Sequence, residues 1–131
     1  MKLLLDTHIW LWSLLDPERL SPRVAHKLQS SNSELWLSPI SLWELSLLIE
    51  RGRIVLSLDF EDWVEQSLQR VPMVEAPLTF DVARETTQVN LSHRDPADHF
   101  LVATAKVFGL RLVTADRRLL SAAACQVLAN V

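Results

Sequence analysis

Short apolar runs alternate with longer helical stretches along the whole chain, and this alternation limits the fold more than any other feature. Lys2 to Leu5 reads as a short buried strand, followed by Thr7 to Leu15 with helical spacing. Ser21-Pro22 opens a second helix reaching about Gln29, because Pro suits the first helical position. Leu35-Trp36-Leu37 is the next strand, and Ser38-Pro39 starts a helix to Arg51, with Gly52 placed for a left-handed C-terminal cap. Asp59 begins an amphipathic helix through Phe60, Trp63, Val64 and Leu68. Val71 to Ala76 reads as an edge strand because of Pro72, and Thr79 to Val89 is helical by spacing. Asp95-Pro96 opens a helix that is apolar nearly all round and ends at Gly109. Leu110 to Thr114 follows as a buried strand, then a helix from Arg117 to Ala123 and a strand from Gln126 to Leu128. Strands alternating with helices specify an α/β domain with a mainly parallel sheet.

The 131 residues suit one core, so residues 1–131 are read as a single domain. With 49% hydrophobic and 22% charged residues the chain is neither disordered nor fibrous, and one cysteine, Cys125, makes no internal bridge. Asp6 and His8 interrupt the N-terminal leucines too early for a signal peptide or a spanning helix. A cytoplasmic protein with no membrane partner is expected. The net charge of −3 and the absence of a basic run beyond Arg117-Arg118 argue against gripping nucleic acid by bulk charge. Contact with RNA or DNA would need a local basic patch, or a metal to offset the acids.

Ligands of parallel sheets bind beyond the carboxyl ends of the strands. Asp6 directly follows the first strand and Asp116 follows the strand ending at Thr114. Glu44 lies about one and a half turns into the helix after Leu37, and Asp98 lies in the first turn of the helix opening at Pro96. Adjacent strands are about 4.8 Å apart, so the four acids can converge. Each has a plainer reading. Asp6, Asp95 and Asp116 can cap helices, Ser41 to Glu44 fits a capping box, and Asp98 at the third helical position complements the dipole. Capping alone does not explain four acids at one sheet edge. Crowded carboxylates repel, and a hard divalent ion with oxygen ligands, Mg²⁺ or Mn²⁺, relieves that repulsion. Such an ion activates water for attack on a phosphodiester. With both glycines at helix ends there is no Gly-rich phosphate loop.

Other groups point less specifically. His8, His93 and His99 lack zinc-ligand spacing, and Cys125 sits in an Ala-rich stretch unsuited to a nucleophile. Asp59, Glu61, Asp62 and Glu65 read as a solvated face. Trp10, Trp12, Trp36, Trp43 and Trp63 read as core, with any exposed subset marking a protein interface.

Four blocks carry a family resemblance: Leu4-Leu5-Asp6-Thr7-His8, Ser38 to Leu45, Asp95 to Ala105, and Leu112 to Asp116. In order and spacing they resemble the motifs of PIN domains, and more narrowly those of VapC-type toxins from toxin–antitoxin pairs. The resemblance implies a three-layer α/β/α sandwich and Mg²⁺- or Mn²⁺-dependent endoribonuclease activity. It places the catalytic quartet at Asp6, Glu44, Asp98 and Asp116, with Asp98 rather than Asp95 in third place because it stands directly before the apolar run ending Ala-Thr-Ala. Asp6 and Asp98, with Asp116, would hold the metal, and Glu44 would complete or tune the site. Asp95 matches an extra acid of a subgroup. Thr7, Ser41 and Thr114 would orient metal-bound water. His99 stands where that subgroup often has Arg. The implied partners are RNA, a second copy of the chain and a cognate antitoxin lying over the acidic cleft, its apolar part suited to the Trp-rich helices after Asp6 and Ser38. Arg51, Arg53, Arg111, Arg117 and Arg118 are candidate contacts for the RNA backbone. A binding module without turnover, or a related nuclease acting in RNA processing or on DNA, are the alternatives.

Overall fold

The computed structural model describes residues 1–91, 95–122 and 125–131. His93 and Ala123, named above, lie outside them. In chain order the elements are β1 (Lys2–Leu5), α1 (Thr7–Leu15), α2 (Pro22–Gln29), β2 (Glu34–Leu37), α3 (Pro39–Glu50), α4 (Phe60–Arg70), β3 (Val74–Glu75), α5 (Phe80–Glu85), α6 (Pro96–Phe108), β4 (Arg111–Thr114), α7 (Arg117–Ala122) and β5 (Val127–Ala129). The strands form one parallel sheet in the order β3-β2-β1-β4-β5. β1 is central, with Leu4 opposite Trp36 on one side and Leu112 on the other.

A strand sends alternate side chains to opposite faces, and β1 shows why both faces must be covered. Leu3 and Leu5 pack with Ile9, Trp10, Leu45 and Trp63 under α1, α3 and α4. Leu4 packs on the other side with Val82, Leu101 and Leu112 under α5 and α6. This is the expected three-layer α/β/α sandwich.

Local chemistry fixes the helix ends. Ser21, Ser38, Asp59, Thr79 and Asp95 each cap a helix by accepting a backbone N–H bond. Gly52 and Gly109 take left-handed φ values of 69° and 65°, where a side chain is strained.

Two expectations are corrected. The edge strand expected from Val71 to Ala76 is only Val74–Glu75, because Val71 still closes α4 by donating its N–H to Ser67 O. The helix expected from Thr79 to Val89 starts after Thr79 and gives way to a 3₁₀ turn over Thr86–Gln88. There the Thr86 and Thr87 hydroxyls donate to the carbonyls of Ala83 and Arg84, three residues back. Such side-chain bonds compete with the continuing helix. Among the described residues no helix is long and apolar enough to cross a membrane.

Candidate active site

The carboxyl edge of the sheet opens into a cleft of about 300 Å³, lined by Asp6, Glu44, Asp95, Asp98 and Asp116 together with His8, Trp12, Ala115 and Arg118. Asp6 reaches it from the end of β1, Glu44 from α3, Asp95 and Asp98 from the start of α6, and Asp116 from beyond β4. The four positions read from the sequence, and Asp95 beside them, therefore face one space.

Hydrogen bonds separate the capping readings from the cleft. Asp6 stands at the N-cap of α1 but makes no side-chain cap bond. Its Oδ2 instead accepts a 2.6 Å bond from the Thr114 hydroxyl at the end of β4. α3 is capped by Ser38, so Glu44 is no part of a capping box; its Oε1 accepts from the Thr7 hydroxyl at 2.5 Å. Asp95 does cap α6, accepting from Ala97 N–H at 3.0 Å. Asp98 follows in the first turn and is 5% exposed. Asp116 serves two roles: its Oδ1 accepts the Arg118 backbone N–H, and both its oxygens accept from the Arg118 guanidinium.

Thr7, Ser41 and Thr114 stand beside the acids. The Thr7 hydroxyl, within 2.8 Å of Ser41 Oγ, has one proton, which it donates to Glu44. The Thr114 hydroxyl donates to Asp6 and accepts the Asp116 N–H. The Thr7 and Thr114 hydroxyls thus hold the Glu44 and Asp6 carboxylates in place.

Burial dominates the electrostatics. It pushes Asp6 from 3.8 up to about 6, opposed by the Thr114 bond and reinforced by the nearby Asp98 charge. It pushes Glu44 from 4.5 up to about 7, with Asp6, Asp95 and Asp98 adding repulsion against the Thr7 bond. Carboxylates raised in the folded state bind protons that the unfolded chain has released. Stability is therefore greatest below about pH 4 for these two groups and falls as pH rises towards 6–7. Chelator-treated protein should lose thermal stability across that window, and Mg²⁺ should restore it at pH 7.5; a melting temperature indifferent to both would contradict the charge crowding.

Among the described residues no three acid, His or Cys side chains are gathered closely enough to hold a metal ion as they stand. The donor set nonetheless fits a hard divalent cation: five carboxylates face one cleft, and two of them are held in a protonation-prone state by burial and mutual repulsion. Zinc has less support, since among the described residues the cleft lining includes no cysteine and has His8 as its one histidine. Cys125 is half-buried with its thiol pKa raised by burial, which removes it as a nucleophile.

Of the five arginines proposed as RNA contacts, Arg118 lines the cleft. Arg111 begins β4, at the opposite edge of the sheet, and Arg51 and Arg53 follow the far end of α3. His8 and Trp12 also line the cleft, which the sequence alone does not indicate. Their i, i+4 spacing directly after Asp6 is only a hint, and the rings lie 5.8 Å apart. Of the tryptophans, Trp10 and Trp63 are core while Trp43 is 49% exposed.

Fold and site together define a parallel α/β/α domain with an acidic cleft at the carboxyl edge of its sheet. The chain belongs to the PIN domain family, whose model matches residues 3–124. It is 38% identical over 119 residues to Ribonuclease VapC22 of Mycobacterium tuberculosis, spanning 90% of this chain and 89% of that protein. The fold is similar to a chain of VapBC2 from Rickettsia felis bound to promoter DNA, with a TM-score of 0.72, 15% identity and 98% of each chain covered. It is also similar to a chain of DNA-bound VapBC from Salmonella typhimurium, with a TM-score of 0.69, 21% identity and 100% and 99% coverage.

Proposed function

We propose that the protein is a metal-dependent endoribonuclease toxin of a VapBC-type pair. The observation that carries this is the convergence of Asp6, Glu44, Asp98 and Asp116 on one cleft, in a PIN domain chain related to a named ribonuclease. Asp6, Asp98 and Asp116 are the proposed ligands of Mg²⁺ or Mn²⁺, with Glu44 completing or tuning the site. Held there, such an ion would supply polarisation of a phosphoryl oxygen and activation of a water. The chain's own residues set up that chemistry. Thr114 and Thr7 fix one oxygen each of Asp6 and Glu44, and burial of Asp6 and Asp98 keeps water from screening their charge.

A cognate antitoxin is the proposed protein partner, supported by the VapBC assemblies that share the fold. An Arg or Lys of such a partner would pair with the cleft carboxylates, and the exposed Trp43 would suit its apolar part. A second copy of the chain is the proposed partner within the toxin itself. The test is incubation of antitoxin-free protein with a tRNA and rRNA pool, with Mg²⁺ or Mn²⁺ and with EDTA. Discrete products that disappear with EDTA are expected; products unaffected by EDTA would reject the metal reading.

A further inference from the structure

Arg118 enters the acidic cleft from α7. Its Nε lies 3.2 Å from Asp116 Oδ1 and its Nη2 lies 2.9 Å from Asp116 Oδ2, a two-toothed grip on one carboxylate. The same Nη2 stands 3.9 Å from Asp98 Oδ2. One guanidinium thus spans two of the three carboxylates assigned to the metal. The charge is permanent, because Arg does not lose its proton in proteins. A divalent ion at the same oxygens would face that charge within a few ångströms.

The two sides of this contact differ in freedom. The Asp98 side chain is 7% exposed and stays at the helix start, whereas Arg118 is 54% exposed on a long flexible stem. Arg118 is therefore the partner that can move. We propose that Arg118 is a displaceable counter-ion: it holds Asp116 and Asp98 in the metal-free protein, yields them to the divalent ion, and then meets an RNA phosphate at the cleft mouth. This rests on the metal-dependent ribonuclease reading of the site. The receiving group follows from charge and shape. The planar fork that matches a carboxylate also matches a phosphate, and a cleft walled by five acids needs a cation besides the metal to admit one.

The test begins without RNA. Mn²⁺ binding to metal-free protein is followed by the electron paramagnetic resonance of the free ion, for the wild type, Arg118→Gln and the neighbouring Arg117→Gln. Arg117 is exposed but does not line the cleft, so it controls for net charge. Arg118→Gln should tighten Mn²⁺ about two- to fivefold, the upper part of the range expected for losing a half-exposed competing ion pair, and Arg117→Gln should change it less than about 1.5-fold. At saturating Mn²⁺, Arg118→Gln should raise the KM for RNA and lower its salt slope by about one charge. Equal Mn²⁺ affinity in the wild type and Arg118→Gln, or equal tightening in Arg117→Gln, would overturn the exchange while leaving the metal site standing. An unchanged KM and salt slope would overturn the phosphate contact. No Mn²⁺ bound by any of the three would overturn the metal reading itself, and the exchange with it.

Discussion

Asp6→Asn should give a protein that is more stable than the wild type in EDTA and all but inactive on RNA. The two effects have one source. Asp6 is 8% exposed, and burial pushes its pKa from 3.8 to about 6, so at pH 7.5 its ionisation works against folding. Two pKa units correspond to at most roughly 3 kcal/mol, and a neutral amide removes that penalty. The amide oxygen can still accept the Thr114 hydroxyl that now bonds Oδ2, so the fold keeps its contact. Activity moves the other way. Loss even of a group one shell out from a metal costs about 10- to 100-fold, so loss of a ligand should cost at least 100-fold. Differential scanning calorimetry and RNA cleavage read the two effects separately. A variant that is destabilised, or one that still cleaves, would break the link between burial, charge and function.

The largest stability loss is expected at Trp10. Its side chain is fully buried and meets Trp63 edge-on, with ring centroids 5.6 Å apart, amid Leu3, Leu5, Ile9 and Leu45. It lies on α1, the helix that Asp6 starts and that carries Thr7 to Glu44. Trp10→Ala should lower stability by about 3–5 kcal/mol, through lost transfer energy and the cavity left behind. Against a total of roughly 5–15 kcal/mol, that leaves a marginal protein whose cleft is no longer held together. The urea unfolding midpoint measures it, and a loss under about 1 kcal/mol would mean that α1 does not anchor this face of the sheet.

The layered fold was legible because its causes are local. Short buried runs such as Leu3 to Leu5 and Leu112 to Thr114, set between longer helical stretches, suit central parallel strands, and Ser-Pro and Asp-Pro pairs mark helix starts. The meeting of the acids was legible from the sheet-edge rule. Their individual roles were not. Asp6 and Asp95 both precede a helix, yet only Asp95 uses its carboxylate as a cap. What turns Asp6 away is the Thr114 hydroxyl, 108 residues along the chain, a partner that no local spacing announces. The short β3 and the early end of α5 have the same character, since each depends on which backbone or hydroxyl group wins a particular carbonyl. Charge counting likewise could not sort Arg118, inside the cleft, from Arg111 at the opposite edge.

The proposed reaction is attack of water on an RNA phosphodiester, driven by this carboxylate cluster. Its most direct test is cleavage of RNA in ¹⁸O-labelled water with Mn²⁺, followed by mass spectrometry of the new ends. Hydrolysis by water predicts one ¹⁸O in each new terminal phosphate and no cyclic phosphate. Unlabelled ends carrying a 2′,3′-cyclic phosphate would show that the RNA's own hydroxyl is the nucleophile, and would rule out hydrolysis by water.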